Sequence, residues 1–383
     1  MTQLLTETYL DYSDILIKPK MGRNCNSRKD VKLTREYKFK HGQTREGLGI
    51  FNANMATVGN FETAKHLLKA GMFATLHKFY TAEEIVRFMD KCQEEKINYD
   101  NLFISIGIRH WPEEFEKLKE IENGARWFKY NICIDAPNFY IPEAYRILKQ
   151  IREMYPEAVI MCGNIASSDI CHKLLEYADI LKIGIGSGAV CTTRKMTGCG
   201  VPMVSLILDC ADITHSVGGM ICADGGIVEP GDISKAFALN SDFVMVGGMF
   251  AGTDEAEGEI IEKCYKTNEV EIEADYDSLL GYVISTPGKS KYEYKKFKLY
   301  YGMSSTLANN KFAGGMKDYK ASEGREVLIP YTGGLDKILQ NIKGGIASAC
   351  TYMGSTCVKD MSKCATLIRV NNTINKVFEK YEK

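Results

Sequence analysis

Short apolar runs recur along most of this chain, and each is followed by a longer segment whose apolar residues are spaced like one face of a helix. Each run ends at a glycine or a polar residue, as strands entering loops do. The predicted strands are Leu48 to Asn54, Met72 to His77, Leu102 to Gly107, Asn131 to Asp135, Val159 to Gly163, Ile180 to Gly184, Met220 to Asp224 and Phe243 to Gly247. The predicted helices are Phe61 to Ala70, Ala82 to Glu94, Pro112 to Glu122, Pro142 to Met154, Ser168 to Tyr177, Val204 to Gly218 and Gly231 to Leu239. Residues 1–45 are polar and irregular, which predicts an arm or lid rather than a domain.

This alternation predicts an α/β fold, the (β/α)8 TIM barrel, because eight strand–helix units fit that fold's usual length of about 250 residues. An open, doubly wound sheet is the alternative. That fold usually carries G-x-G-x-x-G after its first strand, and the segment from Leu48 to Gly59 has no such pattern.

A barrel of this kind keeps its chemistry in the loops that follow the strands. Polar residues and glycines do follow the predicted strands here: Asn54, His77, Lys78, Asp135, Gly163, Asn164, Cys191, Asp224, Gly225, Gly226, Gly247 and Gly248. The sequence therefore predicts one catalytic face. The glycine pairs after the seventh and eighth strands are a frequent place for a phosphate site in such barrels.

The stretch LKIGIGSGAVCTTRKMTGCG (181–200) contains several candidate catalytic residues close together. Glycines let the backbone approach a ligand closely, Cys191 is a candidate nucleophile, and Arg194 supplies positive charge that favours a thiolate. Thr193 relays a proton only if an acid or base lies beside it. An inert glycine-rich turn with a buried cysteine is the alternative.

Composition narrows the class of protein further. The formal net charge of −1 gives no electrostatic basis for binding nucleic acid or an anionic membrane, and no apolar run is long enough to span a bilayer. The 13 cysteines include no C-x-x-C pair, and the histidines include no H-x-x-x-H pair. We therefore expect a cytoplasmic protein whose cysteines are thiols.

After Gly248 the strand–helix rhythm stops. The sequence of residues 252–325 predicts an insertion together with an active-site lid. The insertion is an excursion near residues 262–296, which is either functional or a solvated surface loop. Glu323 lies in the lid, where a carboxylate beside Thr193 would complete a proton relay. A single exposed glutamate is also an ordinary surface residue.

With these motifs in place, the chain resembles the IMP dehydrogenase/GMP reductase family, and within it the GMP reductases, over most of its length. The resemblance rests on LDYSDILIKPK, GIGSGAVCTTRKMTG, ICADGG, PGDISKAFALNSDFVMVGGM and YGMSS…YKASEG. It implies one (β/α)8 catalytic domain over residues 1–383 without a CBS module, assembled as a homotetramer. It further implies reductive deamination of GMP to IMP and ammonia, in purine nucleotide salvage, with NADPH as hydride donor.

The resemblance also implies roles for individual residues. Cys191 matches the nucleophile, and Thr193 and Glu323 match the proton-relay pair. Substrate contacts match Asp224, Gly225, Gly226, Gly247, Gly248, Gly302, Met303, Ser304, Lys320, Ala321, Ser322 and Gly324. Cofactor contacts match Lys78, Asp135, Ala136, Pro137, Ile185, Gly186 and Met303, with Ser27, Arg28, Ser348, Ala349, Cys350 and Thr351 reaching in from a neighbouring subunit. A potassium ion matches Gly186, Gly188, Cys191 and Arg194.

Several residues depart from the family's pattern. Ser187 stands where proline is usual, Ala56 replaces a common aspartate, and Lys320 replaces an arginine, which keeps the charge but loses bidentate geometry. The segment 262–296 is longer than the family's corresponding turn.

The main alternative is IMP dehydrogenase, which oxidises IMP with NAD. Against it, only a helix-sized piece from Trp111 to Trp127 fills the place of the CBS module, and no Arg-Tyr pair follows Gly248 to activate water. A non-catalytic nucleotide-binding barrel would have lost Cys191, Thr193 or Glu323, and all three are present. A flavin-dependent barrel oxidoreductase is a third alternative.

Overall fold

The arm at the amino terminus crosses the outside of the molecule before the repeating strands begin. The computed structural model of the chain describes residues 4–21, 25–125, 131–277, 282–319 and 321–371. The arm contributes β1 (Ile15–Ile17) and a short antiparallel hairpin, β2 (Arg35–Lys38) and β3 (Thr44–Gly47).

In the described residues, eight parallel strands form the central sheet. They are β4 (Ile50–Asn52), β5 (Ala74–Leu76), β6 (Leu102–Ile106), β7 (Asn131–Asp135), β8 (Val159–Ile165), β9 (Ile180–Ile183), β10 (Met220–Asp224) and β11 (Phe243–Val246). The order in the sheet is β4-β11-β10-β9-β8-β7-β6-β5, so the first and second barrel strands form the two edges. Most of their side chains are buried, as expected for strands covered on both faces. The predicted (β/α)8 fold is confirmed.

A side chain helps to close the barrel between its two edges. The Asn52 amide accepts a hydrogen bond from the Thr75 backbone N–H at 2.9 Å and donates to the Thr75 carbonyl at 2.8 Å. The Phe73 backbone N–H also donates to the Ile50 carbonyl at 3.0 Å. These bonds satisfy edge groups that would otherwise be unpaired inside the protein.

The β2–β3 hairpin covers the end of the barrel where the strands begin. Tyr37 is fully buried there, with its ring stacked on Phe243 at 4.4 Å and meeting the edge of Phe73 at 5.3 Å. This end is opposite to the carboxyl ends of the strands, so the hairpin is a structural cover. Of the two alternatives expected for residues 1–45, an arm or a lid, this hairpin fits the arm.

The helices between the strands are α1 (Phe61–Lys69), α2 (Ala82–Glu94), α3 (Trp111–Gly124), α4 (Pro142–Met154), α5 (Cys171–Leu174), α6 (Thr193–Thr197), α7 (Met203–Ser216), α8 (Pro230–Ala238) and α9 (Gly248–Ala251). Thr81 caps helix α2, because the Glu84 N–H donates to the Thr81 hydroxyl and the Thr81 N–H donates to the Glu84 carboxylate. The helix predicted over Ser168 to Tyr177 is wrong in length, because only one turn forms. Ser168 does not cap it and instead bonds Asp209 at 2.9 Å.

The region after α9 is largely β-structure. Two long strands, β12 (Ile260–Asp277) and β13 (Tyr282–Tyr301), form an antiparallel hairpin that contains the predicted excursion. Helix α10 (Thr306–Phe312) follows, and β14 (Glu326–Pro330) then pairs with the inner end of β13. The chain continues through α11 (Leu335–Met353), α12 (Met361–Cys364) and β15 (Leu367–Arg369), which pairs with β1. None of the helices in the described ranges combines the length and apolar character needed to cross a membrane.

Candidate active site

Cys191 lies in the loop after β9, and glycines determine how that loop runs. Gly184 and Gly186 have positive φ angles of 139° and 76°. A Cβ atom on Gly184 would lie 2.1 Å from the Asp224 carbonyl oxygen, so only glycine allows the loop to pass β10 so closely. The Cys191 N–H then donates to the Gly188 carbonyl at 3.0 Å, which leaves the thiol partly exposed at the carboxyl end of the barrel.

Cys191, Thr193 and Glu323 form a continuous hydrogen-bonded chain. The Cys191 Sγ donates to the Thr193 Oγ1 at 3.2 Å, and this hydroxyl donates to the Glu323 Oε2 at 2.8 Å. The second bond joins groups 130 residues apart in the sequence. The arrangement can carry a proton from the thiol to the carboxylate, so Thr193 has the acidic neighbour that a relay requires.

Backbone pairing brings Glu323 to this position. The Thr192 N–H donates to the Glu323 carbonyl at 2.8 Å, and the Arg325 N–H donates to the Val190 carbonyl at 2.9 Å. The Arg325 side chain adds two bonds to the Ala189 carbonyl. Residues 322–325 of the lid therefore lie as an antiparallel segment against the cysteine loop.

A charged cluster lies below this loop, inside the carboxyl end of the barrel. Lys182, which is 2% exposed, lies 2.9 Å from the Asp135 Oδ1 and 3.6 Å from the Asp224 Oδ2. Lys78 pairs with the other Asp135 oxygen at 3.0 Å. Burial alone would raise the pKa of Asp135, but Lys78 and Lys182 outweigh it and hold that pKa well below its usual range.

Sequence reasoning missed Lys182, although a signal was available. A charged residue within the otherwise apolar run Ile180–Ile183 is unusual, because lysine is rarely buried without a partner. Asn164 joins the same cluster, where its amide donates to the Asp224 Oδ2 at 2.8 Å.

The predicted substrate residues lie in four segments, namely the loops after β10 and β11, residues 302–304 and residues 321–324. Gly225 is close enough to Ser187 that a Cβ would lie 2.3 Å from the serine hydroxyl, and one on Gly247 would lie 2.5 Å from the Tyr300 hydroxyl. Gly302 packs against Gly324 so closely that a Cβ on Gly302 would lie 3.0 Å from the Gly324 Cα. The other members are Asp224, Gly226, Gly248, Met303, Ser304, Ala321 and Ser322, while Lys320 falls outside the described residues.

The predicted cofactor residues fall into two groups. Asp135 is the last residue of β7, and Lys78, Ala136, Pro137, Ile185 and Gly186 follow β5, β7 and β9 at the carboxyl end of the barrel, while Met303 follows β13. Ser27, Arg28, Ser348, Ala349, Cys350 and Thr351 lie on the outer side, where α11 packs against α8 and the turn at residues 28–30. The Cys350 side chain is fully buried, so any contact that it makes to a ligand would use its backbone.

The residues predicted to surround a cation do not offer a set of side-chain ligands. Within the described ranges no group of three or more His, Cys, Asp or Glu side chains is placed to hold a metal ion, so Gly186, Gly188, Cys191 and Arg194 would have to offer backbone carbonyls. Arg194 is also the residue whose positive charge was predicted to favour a thiolate at Cys191. Its guanidinium is paired with Asp11 at 3.3 Å and donates to the Val201 carbonyl at 3.0 Å, so its charge is balanced by the arm.

The chain matches a known protein family over most of its length. The family model described as IMP dehydrogenase / GMP reductase domain matches residues 9–270 and 277–376. The chain belongs to the IMP dehydrogenase/GMP reductase family. It is 39% identical to GMP reductase of Caenorhabditis elegans over 384 residues, covering 100% of this chain and 98% of that protein. It is 38% identical to human GMP reductase 2 over 380 residues, covering 99% of each chain.

A bacterial member of the family is equally similar. GMP reductase of Vibrio campbellii is 38% identical over 376 residues, covering 98% of each chain. The break in the family match, at residues 271–276, falls near the far end of β12. The inner part of the hairpin is thus within the matched region.

Proposed function

We propose that this protein is a GMP reductase that converts GMP to IMP and ammonia with NADPH as hydride donor. The observation that carries the proposal is the chain from the Cys191 thiol through the Thr193 hydroxyl to the Glu323 carboxylate. A soft sulfur nucleophile suits the electron-poor C2 carbon of a guanine ring, and the adjacent acid–base pair suits departure of its amino group.

In the first half of the reaction, the Cys191 sulfur forms a bond to C2 and the bond from C2 to the amino group breaks. The thiol proton passes through Thr193 to Glu323, and the same relay returns a proton to the departing amino group. Thiol and GMP thus give a covalent thioimidate and ammonia, with no net gain or loss of protons.

In the second half, the nicotinamide cofactor supplies one hydride to C2 when it is bound. The bond from C2 to the Cys191 sulfur then breaks, and the sulfur leaves with the bonding pair as a thiolate. One proton, delivered through Glu323 and Thr193, restores the thiol. The complete reaction consumes GMP, NADPH and one proton, and it releases IMP, ammonia and NADP⁺.

The nucleotide contacts follow from groups that the fold leaves available. Asp224 accepts a hydrogen bond from Asn164 and forms an ion pair with Lys182, both through Oδ2, and within the described part of the chain its Oδ1 has no protein partner. This oxygen suits the hydroxyls of a ribose. The backbone amides of Gly225, Gly226, Gly247 and Gly248 suit the phosphate, and residues 302–304 and 321–324 close over the base.

Further features of the family belong to the same proposal. Lys78, Asp135, Ala136, Pro137, Ile185, Gly186 and Met303 hold NADPH, with Ser27, Arg28 and residues 348–351 serving a neighbouring subunit in a homotetramer. The outward position of α11 and the 28–30 turn supports that assignment, because a partner can reach them. A potassium ion is held by the carbonyls of Gly186, Gly188, Cys191 and Arg194, and the enzyme acts in the cytoplasm.

The decisive assay supplies GMP and NADPH to the purified protein and follows NADPH oxidation, IMP and ammonia. We expect equal amounts of all three, and a loss of about 10³-fold or more in the Cys191→Ala variant. Cys199→Ser is the matched control, since this exposed thiol lies in the same loop and contacts the Thr197 carbonyl rather than the relay. Reduction of NAD with IMP, without oxidation of NADPH by GMP, would instead identify an IMP dehydrogenase. Rates that are equal in potassium, sodium and a bulky organic cation would refute the cation site.

A further inference from the structure

Strand β9 carries a positive charge into the interior of the barrel. The Lys182 Nζ lies 2.9 Å from the Asp135 Oδ1, 3.6 Å from the Asp224 Oδ2 and 3.4 Å from the Asn54 Oδ1. These partners come from β7, from β10 and from the loop after β4. One ammonium group therefore links three separate parts of the barrel's carboxyl end beneath the cysteine.

The charges in this cluster balance. Lys182 and Lys78 supply two positive charges, and Asp135 and Asp224 supply two negative charges. A buried ammonium is stable only when it is paired and hydrogen-bonded. Burial by itself would lower the pKa of Lys182, but the neighbouring carboxylates of Asp135 and Asp224 more than reverse this and raise it. Lys182 is thus a fixed cation.

A buried ion pair at the other end of the same strand shows what a purely structural pair looks like. Asp179 precedes β9 and is 1% exposed. Its oxygens are shared among Arg152 at 2.8 Å, His41 at 2.9 Å and the Ile160 backbone N–H at 2.8 Å. All of these partners are protein groups at the amino end of the barrel. The Lys182 partners differ, because Asp135 and Asp224 are each about one-fifth exposed at the carboxyl end.

We propose that Lys182 is a positioning residue that orients Asp135 and Asp224 together, and so couples the cofactor side of the site to the ribose side. The inference rests on the proposed function, in which Asp224 receives the nucleotide and Asp135 faces the cofactor. Loss of Lys182 leaves Asp135 with Lys78 as its cation, whereas the side chain of Asp224 keeps, among the described residues, only the neutral amide of Asn164 as a partner. Loss of Lys182 should therefore change the affinity for the nucleotide and the turnover rate by different factors.

The test uses Lys182→Met, Asp135→Asn and the double variant, with Arg152→Met as the matched control for a broken buried ion pair. For each variant we would measure thermal unfolding, the Kd for GMP by calorimetry, and kcat and KM for GMP and NADPH well below the unfolding temperature. We expect Lys182→Met to lower kcat/KM for GMP about 10²-fold or more. Arg152→Met should lose stability while its kinetic constants stay within about threefold of the wild type.

The double variant restores charge balance, so it tests the proposal even if Lys182→Met alone fails to fold. The kcat of the double variant should equal that of Asp135→Asn, because Lys182 acts on turnover through Asp135. Its Kd for GMP should be about tenfold higher than that of Asp135→Asn. Equal GMP affinity in the double variant and in Asp135→Asn would overturn the proposal, as would kcat losses that simply multiply. If the wild type binds GMP but oxidises no NADPH, the proposed activity fails, and the calorimetric comparison still decides the role of Lys182.

Discussion

Removing the hydroxyl of Thr193 is the sharpest perturbation of the proposed relay. The hydroxyl lies 3.2 Å from the Cys191 sulfur and 2.8 Å from the Glu323 carboxylate, so it is the one group that touches both in this chain of bonds. Thr193→Val keeps the branched shape and removes the oxygen. Thr193→Ser keeps the oxygen and removes a methyl group, which makes it the matched control.

The expected magnitude follows from what the relay supplies. A positioned acid–base group typically contributes about 10² to 10⁴ in rate. We expect Thr193→Val to lower kcat about 10³-fold with little change in the KM for GMP, because the hydroxyl's two bonds go to protein groups. Thr193→Ser should stay within about tenfold of the wild type. Adding Glu323→Gln to Thr193→Val should cost little more, since residues acting as a unit are not additive.

The assay is NADPH oxidation under saturating GMP, combined with intact-protein mass spectrometry after rapid quenching. Mass spectrometry reports whether a nucleotide adduct on Cys191 still forms. If kcat of Thr193→Val lies within about threefold of the wild type, the relay is not used. A large loss in Thr193→Ser as well would point to packing rather than proton transfer.

Three other predictions concern the surroundings of the site. Ser187→Ala removes the bond from the Ser187 hydroxyl to the Asp224 carbonyl, 2.9 Å long, and should raise the KM for GMP about three- to tenfold, measured by steady-state kinetics. Burial lowers the pKa of His77 to about 4, so the native state excludes a proton that the unfolded state takes up near pH 6.5. This contribution of His77 to the free energy of unfolding should thus be complete above about pH 6.5 and be lost towards pH 4, lowering the free energy of unfolding by at most about 3 kcal/mol. Urea titrations of His77→Gln over the same pH range should not show this loss. Phe312→Ala removes the ring stacked on Phe79 at 4.0 Å, and should both raise the KM for GMP about fivefold and speed proteolysis within residues 302–326.

The barrel could be predicted from the sequence because burial of both sheet faces leaves a plain signal. Strands such as Met220–Asp224 and Asn131–Asp135 are apolar runs with sharp polar ends, and the structure gives them the same bounds. Prediction failed where a tertiary contact replaced a local one. Ser168 has the residue type of a helix cap, but its hydroxyl bonds Asp209 on the neighbouring helix α7.

The site was predictable in its residue types but not in its connections. Cys191 and Thr193 are two positions apart in one motif, so the sequence itself indicates that they act together. The partner of Thr193 is far away in sequence, and only the lid's β-pairing decides that Glu323 reaches it. Lys182 and the Arg194–Asp11 pair were hidden for a related reason. The structural role of these two basic side chains depends on which carboxylates the barrel and the arm place beside them.

The same β-pairing ties completion of the relay to closure over the substrate. Strands β13 and β14 pair up to Tyr301 and Glu326, and the Gly302 N–H donates to the Arg325 carbonyl at 3.1 Å. Residues 302–304, which we propose contact the nucleotide, are therefore joined to the segment that carries Glu323. The segment that carries Glu323 docks on the cysteine loop through the bonds from the Thr192 N–H to the Glu323 carbonyl and from the Arg325 N–H to the Val190 carbonyl. Because these β-pairs join the two segments, we expect a change that displaces residues 302–304 to move Glu323 away from Thr193 as well.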